Sequence, residues 1–271
     1  MGDKAGTVLR GYLAEQCQAV TGLTAAGLAD VEVIHDTRVA LRRLRSTLRT
    51  FARLFEPVQA EWLEREARWL AEVLGQVRDP DVLADRIAEH ADREAGLDAA
   101  EVALMLTDLG DRRERARRSA AVALESPRYA ELRAVLDRWR VAPPIVVTGV
   151  PAAELLQLVR RTGRTERKRV RRAARNGSDD EVLHRVRKAA KRHRYALELE
   201  DRLPVRRSAK QRRKYRRRAK RSRQLHQRLG LHQDAVVAAQ FLEARPEDGT
   251  ASVRRRLLDR ERAIADQTRL R

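Results

Sequence analysis

The sequence predicts an all-α protein made of two antiparallel helical bundles. Three observations carry that expectation. The apolar content of 42% is mostly Leu and Ala, aromatics are 4%, and β-branched runs are confined to VAPPIVVTGVP at 141–151, a composition that favours helix nearly everywhere. Apolar residues recur at helical spacing along most of the chain. The same pair of motifs also occurs twice, in the same order, on either side of that Pro- and Gly-rich joint.

The first motif pair opens with HDTRVALRRLRSTL at His35 and continues with LGQVRDPDVLADRI at Leu74. The second opens with HRVRKAAKRHRYAL at His184 and continues with LGLHQDAVVAAQFL at Leu229. Overlaid without gaps, the histidine segments share His35/His184, Arg38/Arg187, Ala40/Ala189, Arg43/Arg192, Arg45/Arg194 and Leu48/Leu197, and Arg42 meets Lys191. An internal duplication follows, with repeat one at 1–140, a linker at 141–151 and repeat two at 152–271. Both Leu-Gly motifs place an Asp four residues beyond the glycine, Asp79 and Asp234. They read as helix-turn-helix corners, with Gly75 and Gly230 as C-caps and the aspartates as N-caps. Helices are expected at about 5–20, 31–55, 58–75, 80–95, 98–125 and 128–139, then 152–175, 180–201, 208–230, 234–244 and 251–268.

A chain of 271 residues has room for one large or two small cores. The single Cys17 excludes an internal disulfide and a cysteine zinc cluster, fits a small buried residue on the first helix, and points to a reducing compartment. No charged-then-apolar leader opens the chain and no apolar run approaches a bilayer span, so a soluble cytoplasmic protein without membrane contact is expected. Formal charge is +20, carried by 52 Arg and 7 Lys against 39 acids. Residues 1–140 hold 22 basic and 24 acidic groups, whereas 141–271 hold 37 and 15. Arginine's planar fork matches phosphate oxygens, and the imbalance implies a polyanionic partner.

At about 100° per residue, His35, Arg38, Arg42, Arg45 and Arg49 fall within an arc of roughly 80°, beside a core face of Leu41, Leu44, Leu48, Phe51 and Phe55. In the second copy His184, Arg187, Lys191 and Arg194 take the same arc, and Val186, Ala189, Ala190 and Leu197 the core side. Solvated helices intersperse acids one turn before their bases. Residues 38–53 carry six arginines and no acid, residues 160–175 nine bases and one acid, Glu166, and residues 206–223 twelve bases and none. Such segments read as a surface that grips an anionic polymer.

With these motifs in place, the sequence resembles the CHAD domain, the conserved histidine α-helical domain, over essentially its whole length. The resemblance rests on HDTRVALRRLR, LGQVRDPDV, HRVRKAAKRHRYALEL and LGLHQDAVVAAQ. It implies one domain over 1–271, two four-helix bundles related by a pseudo-twofold, and histidine helices facing a shared basic groove or pore. The implied function is non-catalytic binding of inorganic polyphosphate, with targeting to polyphosphate granules. Carried over by motif, the binding residues are His35, Arg38, Arg42 and Arg45 with His184, Arg187, Lys191 and Arg194. Arg49 and Arg192 are weaker transfers, and Arg167, Lys168, Arg171, Arg213, Arg217, Lys220 and Arg221 follow only from their basic helices. His193 falls on the core face and reads as packed, not as a ligand; His90 lies outside every motif and reads as surface.

Polyphosphate is a string of charges without bases, so its binder needs many forks and no stacking platform, which is the profile of this chain. Histidine adds neutral N–H donors, or charge in mild acid. The alternative is a sequence-independent nucleic-acid-binding protein that uses the same arginines, although ten aromatics leave little for base stacking; beside polyphosphate, weak nucleic-acid binding at low salt is expected in either case. An enzyme is not expected. The triphosphatase chemistry fused to some members of the family needs a Glu-x-Glu-x-Lys strand, and ELEDR at 198–202 ends a predicted helix instead; Gly-rich phosphate loops and HExxH are missing. No cofactor is expected, and no metal site either, because arginines one turn from His35 and His184 would repel a dication.

Overall fold

A computed structural model describes residues 4–94, 96–147, 149–176, 179–245 and 251–270. Residues 1–3 and 271 at the ends of the two expected repeats, residues 177, 178 and 246–250 within the second, Ala95 at the end of the helix expected over 80–95, and Thr148 in the linker lie outside them. The described residues form nine α-helices: α1 (Lys4–Thr21), α2 (Val31–Thr50), α3 (Pro57–Arg93), α4 (Ala99–Leu124), α5 (Pro127–Val141), α6 (Ala152–Asn176), α7 (Asp180–Arg202), α8 (Ala209–Glu243) and α9 (Ala251–Thr268). The expected all-α class is what the chain adopts.

Local chemistry sets the helix starts. The Asp30 carboxylate accepts the Glu32 and Val33 amides to open α2, Glu56 accepts those of Val58 and Gln59 to open α3, and Asp179 accepts that of Val182 to open α7. Ser208 and Gln211 close a reciprocal capping box on α8. Each cap satisfies otherwise orphaned donors and contributes about 1 kcal/mol. Helix α2 stops at Thr50, short of the expected residue 55, because a 3-10 turn at Ala52–Leu54 swings Phe51, Leu54 and Phe55 into the core. The linker is pinned to this turn: Phe55 bridges Ile145, the Glu56 amide donates to the Pro144 carbonyl, and Trp139 packs 5.7 Å from the Phe55 ring. Gly149, at φ 69°, supplies the left-handed step that redirects the chain toward α6.

The two Leu-Gly motifs depart from expectation. Neither is a corner, for α3 runs unbroken through Gly75 and Pro80, and α8 through Gly230. An interior proline costs an isolated helix about 3 kcal/mol. The continuation offsets that by burying Leu83 and Ile87 in a second core. The expected pairs 58–75 with 80–95 and 208–230 with 234–244 are therefore single helices. The turn out of α3 falls instead at Gly96, φ 77°.

Within the first half α1 packs on α2, α2 on α3 and α3 on α4; within the second α6 packs on α7, α7 on α8 and α8 on α9. The first half has a fifth helix, α5, lying on α1 and α4. One continuous core draws on α1 through α7, including Leu41, Leu44, Leu48, Leu197 and the fully buried Cys17. The halves meet twice. At one end α1 and α2 pack against α6 and α7, with α2 and α7 in the most extensive contact. At the other the α3–α4 hairpin touches the α8–α9 hairpin through Leu83, Ile87, Met105 and Leu109 against Ala238, Leu242, Val253 and Leu257. Beside this second contact Arg86 donates two hydrogen bonds, 2.7 and 2.6 Å, to the buried Glu261 carboxylate. His90 lies there too, with Nδ1 3.1 Å from Glu261, and is only 6% exposed. Its expected surface position is thus corrected: α3 continues far enough to press it against α9. Burial pushes the His90 imidazole below its ordinary value, although Glu261 opposes the shift.

Candidate functional site

Between those two contacts, α2, α3, α7 and α8 surround a cleft of about 810 Å³. Its walls carry twelve Arg and Lys side chains against three carboxylates, Glu72, Asp79 and Asp234. Helix α2 contributes His35, Arg38, Arg42, Arg45 and Arg49; α7 contributes His184, Arg187, Lys191 and Arg192, with Arg185 and Lys188 at its rim. Helical periodicity places them there. Leu41, Leu44 and Leu48 on α2, and Val186, Ala189 and Ala190 on α7, are buried and fix the orientation of each cationic face.

The counterions come from neighbouring helices. Arg38 donates to Asp79 at 3.0 Å, and Arg45 and Arg49 share Glu64 at 3.0 and 2.6 Å. Asp79 is therefore not an N-cap but the mid-helix partner of Arg38. Asp234 is the favourable charge beside Arg187 in the second half, which removes its expected capping role as well. Gly75 has a use other than ending a helix: a β-carbon there would stand 2.7 Å from Arg38 Nη1, so only glycine leaves space for the guanidinium against α3. Among the described residues, Arg42 Nε, Arg187 Nε and Arg38 Nη1 are buried and find no hydrogen-bond partner. Unsatisfied buried donors are uncommon and costly, particularly on charged groups.

Electrostatics follow this crowding. Burial first, then Arg42, Arg187, Arg38 and Arg194, push the Lys191 ammonium down from 10.5 to about 7. Burial likewise lowers Arg38, Arg187 and Arg192. Asp234 is raised by burial, against the pull of Arg187. His184 donates Nδ1–H to Gln233 Oε1 at 2.6 Å, which fixes its ring on the α8 wall.

Eight expected residues lie elsewhere. Arg194 turns to Glu198, 3.3 Å away, which also receives Arg43 at 3.0 Å, so this pair ties α2 to α7. The gapless overlay matched Arg45 to Arg194 and Arg43 to Arg192, yet in place Arg45 and Arg192 share the cleft. Arg167, Lys168 and Arg171 on α6, and Arg213, Arg217, Lys220 and Arg221 on α8, are exposed on the outer faces. Lys220 lines a smaller depression between Arg207 and α8. His193 is buried as expected; its Nδ1 is 2.8 Å from Thr162 Oγ1, and its ring fills the space a β-carbon on Gly163 would need. Burial, then Arg218 and Arg167, push it down to about 4.

Several cleft residues escaped the sequence reading: Arg78 and Arg86 on α3, Arg169 on α6, and the carboxylates of Asp79 and Asp234. His226 on α8 stands behind them, pushed down to about 4 by burial and by Arg194, Lys191, Arg187 and Arg42. Arg78, Val82 and Arg86 are spaced by four along a single helix face. That signal is visible once LGQVRDPDVLADRI is read as continuous helix rather than as a corner.

The family model for the CHAD domain matches residues 11–243. Uncharacterized proteins of two Mycobacterium tuberculosis strains are each 31% identical over 217 residues; that stretch is 78% of this chain but only 40% of each relative. Among solved structures, the CHAD domain from the plant Ricinus communis aligns with TM-score 0.71 and 28% identity over 97% of this chain and 84% of its own. PptA from Streptomyces chartreusis shares the fold with TM-score 0.75 at 23% identity, over 97% and 98% of the two chains. No described helix is long and apolar enough to cross a membrane. The motif match, the helical architecture and the length of the family alignment agree: the chain belongs to the CHAD domain family.

Proposed function

We propose that this chain binds inorganic polyphosphate in the cleft between its halves, as a binder and not as a catalyst. One observation carries the reading: the cleft gathers twelve cations against three carboxylates, and Lys191 is held near 7 by its own burial and like-charged neighbours. Positive charge concentrated in this way opposes folding unless an anion compensates it. A narrow, unbranched polyanion fits the requirement, because each arginine can take phosphate oxygens through charge-assisted bonds. Family membership supports the same ligand. The cleft carboxylates Asp79 and Asp234 are each set against an arginine, an arrangement suited to holding charge and not to assisting hydrolysis. On this reading the protein associates with polyphosphate granules in the cytoplasm.

Competition tests the ligand. Long-chain polyphosphate should displace a matched-length oligonucleotide from the full chain at near-physiological salt; displacement only in the opposite direction rejects the proposal in favour of nucleic acid. Arg42→Gln with Arg187→Gln should weaken binding by at least tenfold (~1.4 kcal/mol). The same change at Arg118 and Arg255, which are exposed outside the cleft, should have little effect. Granule association is read by fluorescence microscopy of the tagged chain, where diffuse signal in cells with stained granules counts against it.

A further inference from the structure

The outer face of the second half carries a second body of positive charge that the cleft does not use. On α6, Arg169 lines the cleft at one edge of the buried stripe formed by Val159, Thr162, Glu166 and Ala173. Taking Arg169 as zero and about 100° per residue, Arg172 lies near 300°, Lys168 near 260°, Arg164 near 220°, Arg171 near 200° and Arg167 near 160°. All five are exposed. Together they form a cationic band that leaves the cleft at Arg169, passes over the outside of α6, and reaches the far edge of its buried stripe at Arg167.

At that far edge the band meets α8. Ser222 Oγ donates to Glu166 Oε2 at 2.9 Å, Leu225 and Val170 pack against one small cluster of Ala173, Leu183, Val186 and Leu229, and Arg167 and Arg218 both act on the buried His193 ring. Arg217 and Arg221 precede Arg218 and Ser222 by one residue each on α8, and both are exposed. Glu166 is the one acid within residues 160–175, and it turns inward to Ser222 with 9% exposure, so it neutralises nothing outside. The contrast with the cleft is in counterions. Arg38, Arg45 and Arg49 each have a carboxylate, whereas among the described residues Arg164, Lys168, Arg171, Arg172, Arg217 and Arg221 have no ion pair.

We infer that this band is an exit track: a polyphosphate chain too long for the cleft leaves it at Arg169 and lies over the outside of α6 onto the α6–α8 seam. The inference rests on the proposed cleft ligand and adds a second zone with its own signature. Cleft contacts are partly desolvated and partly exchange one anion for another. Track contacts are exposed, lack internal counterions, and respond fully to screening. Short oligophosphates therefore sense only the cleft. Long chains sense both zones, and the track supplies most of their salt dependence. A duplex nucleic acid would meet the same exposed cations but could not also enter a cleft of this volume, so continuity from Arg169 favours one thin polymer.

The test is a five-residue variant, Arg164→Gln, Lys168→Gln, Arg171→Gln, Arg217→Gln and Arg221→Gln, compared with the parent chain and with Arg42→Gln/Arg187→Gln. Circular dichroism should show unchanged helicity, since all five sites are exposed; if it does not, charge-conserving Arg→Lys changes at the four arginines replace them and should restore parental binding. Titration with tripolyphosphate should be unaltered by the track variant. Long-chain polyphosphate should bind it about tenfold more weakly at low salt. The slope of log affinity against log salt should become shallower by up to about 3.5, taking roughly 0.7 for each phosphate left without its cation. Unchanged long-chain affinity and slope would refute the track while leaving the cleft intact. Equal losses for tripolyphosphate and long chains would also refute it, as a diffuse field effect, and so would loss of duplex DNA binding alone. Failure of the cleft reading looks different: the Arg42/Arg187 variant would then bind tripolyphosphate as the parent does.

Discussion

Binding of long polyphosphate at about pH 8 should transfer close to one proton from solvent to Lys191. In the ligand-free fold, burial and four neighbouring arginines hold this ammonium near 7 instead of 10.5. Charging it in place therefore costs on the order of 5 kcal/mol relative to water. A polyanion seated among Arg38, Arg42, Arg187 and Lys191 reverses the sign of the local potential and returns the group to its charged form. With a free value near 7, about nine-tenths of the molecules are unprotonated at pH 8, so uptake should approach roughly 0.9 proton per chain bound. By the same linkage the affinity should fall by nearly tenfold between about pH 7.5 and 8.5. Calorimetry in two buffers of different ionisation enthalpy reads the proton number directly. Terminal phosphates lose their last proton near pH 6 and are diluted in long chains, so they add little at pH 8.

The variant Lys191→Met isolates the group. It should abolish the uptake and flatten the affinity profile across that range. The ligand-free parent should itself gain stability as pH rises from about 7 toward 10.5, because there the unfolded chain holds a proton that the folded chain has released. Lys191→Met should lose that rise. Zero proton uptake by the parent at pH 8, or an identical uptake by Lys191→Met, would refute the argument that like charge and burial set the state of this lysine.

Three other perturbations separate structure from binding. Gly75→Ala should leave stability unchanged or raise it by up to about 1 kcal/mol through helix propensity, while weakening polyphosphate binding severalfold because the new β-carbon displaces Arg38 Nη1; calorimetric titration with unaltered affinity would contradict this. Glu64→Gln removes the carboxylate shared by Arg45 and Arg49 and should raise affinity at low salt, so a weaker complex would show that Glu64 positions these arginines more than it competes for them. Glu261→Ala strands Arg86 where the two hairpins meet and should cost about 3 kcal/mol, seen as a midpoint shift in thermal or urea unfolding.

The fold class was legible because its signals are local. Leu41, Leu44 and Leu48, then Val186, Ala189 and Ala190, announce two amphipathic faces by spacing alone, and all are buried. On α2 the same spacing marks His35, Arg38, Arg42, Arg45 and Arg49, all of which line the cleft, whereas on α7 it marks Arg194, which turns to Glu198 while Arg192 lines the cleft instead. What the sequence hid is whatever depends on contact between distant segments. Gly75 carries the ordinary signature of a C-cap, and only the guanidinium of Arg38, brought from another helix, accounts for a glycine in mid-helix. Asp79 is four residues beyond a glycine and looks like a cap, but its partner is 41 residues away. His90 has no motif around it, and its burial depends on α9, far along the chain. The arginine runs were also misleading in one respect. Absence of acids over residues 38–53 suggested no internal neutralisation, yet Glu64, Asp79, Glu154 and Glu198 from α3, α6 and α7 reach Arg38, Arg43, Arg45 and Arg49 and the adjoining Arg53.

These cross-helix counterions change the energetics expected of the cleft. A site of free cations would gain the full interaction energy of every phosphate and release an external counterion for each. Here Arg38, Arg45 and Arg49 already hold carboxylates, so a phosphate must replace Asp79 or Glu64, and only the difference between two anions appears as affinity. Arg42 and Arg187, whose buried Nε–H groups are unsatisfied, and Lys191, whose charge is suppressed, have no such prior hydrogen bond to surrender at those atoms. Affinity should therefore concentrate in this central group, while the paired arginines hold register and orientation. The one carboxylate among the described residues set against this group, Asp234 of α8 beside Arg187, is itself raised by burial, which weakens it as a prior counterion.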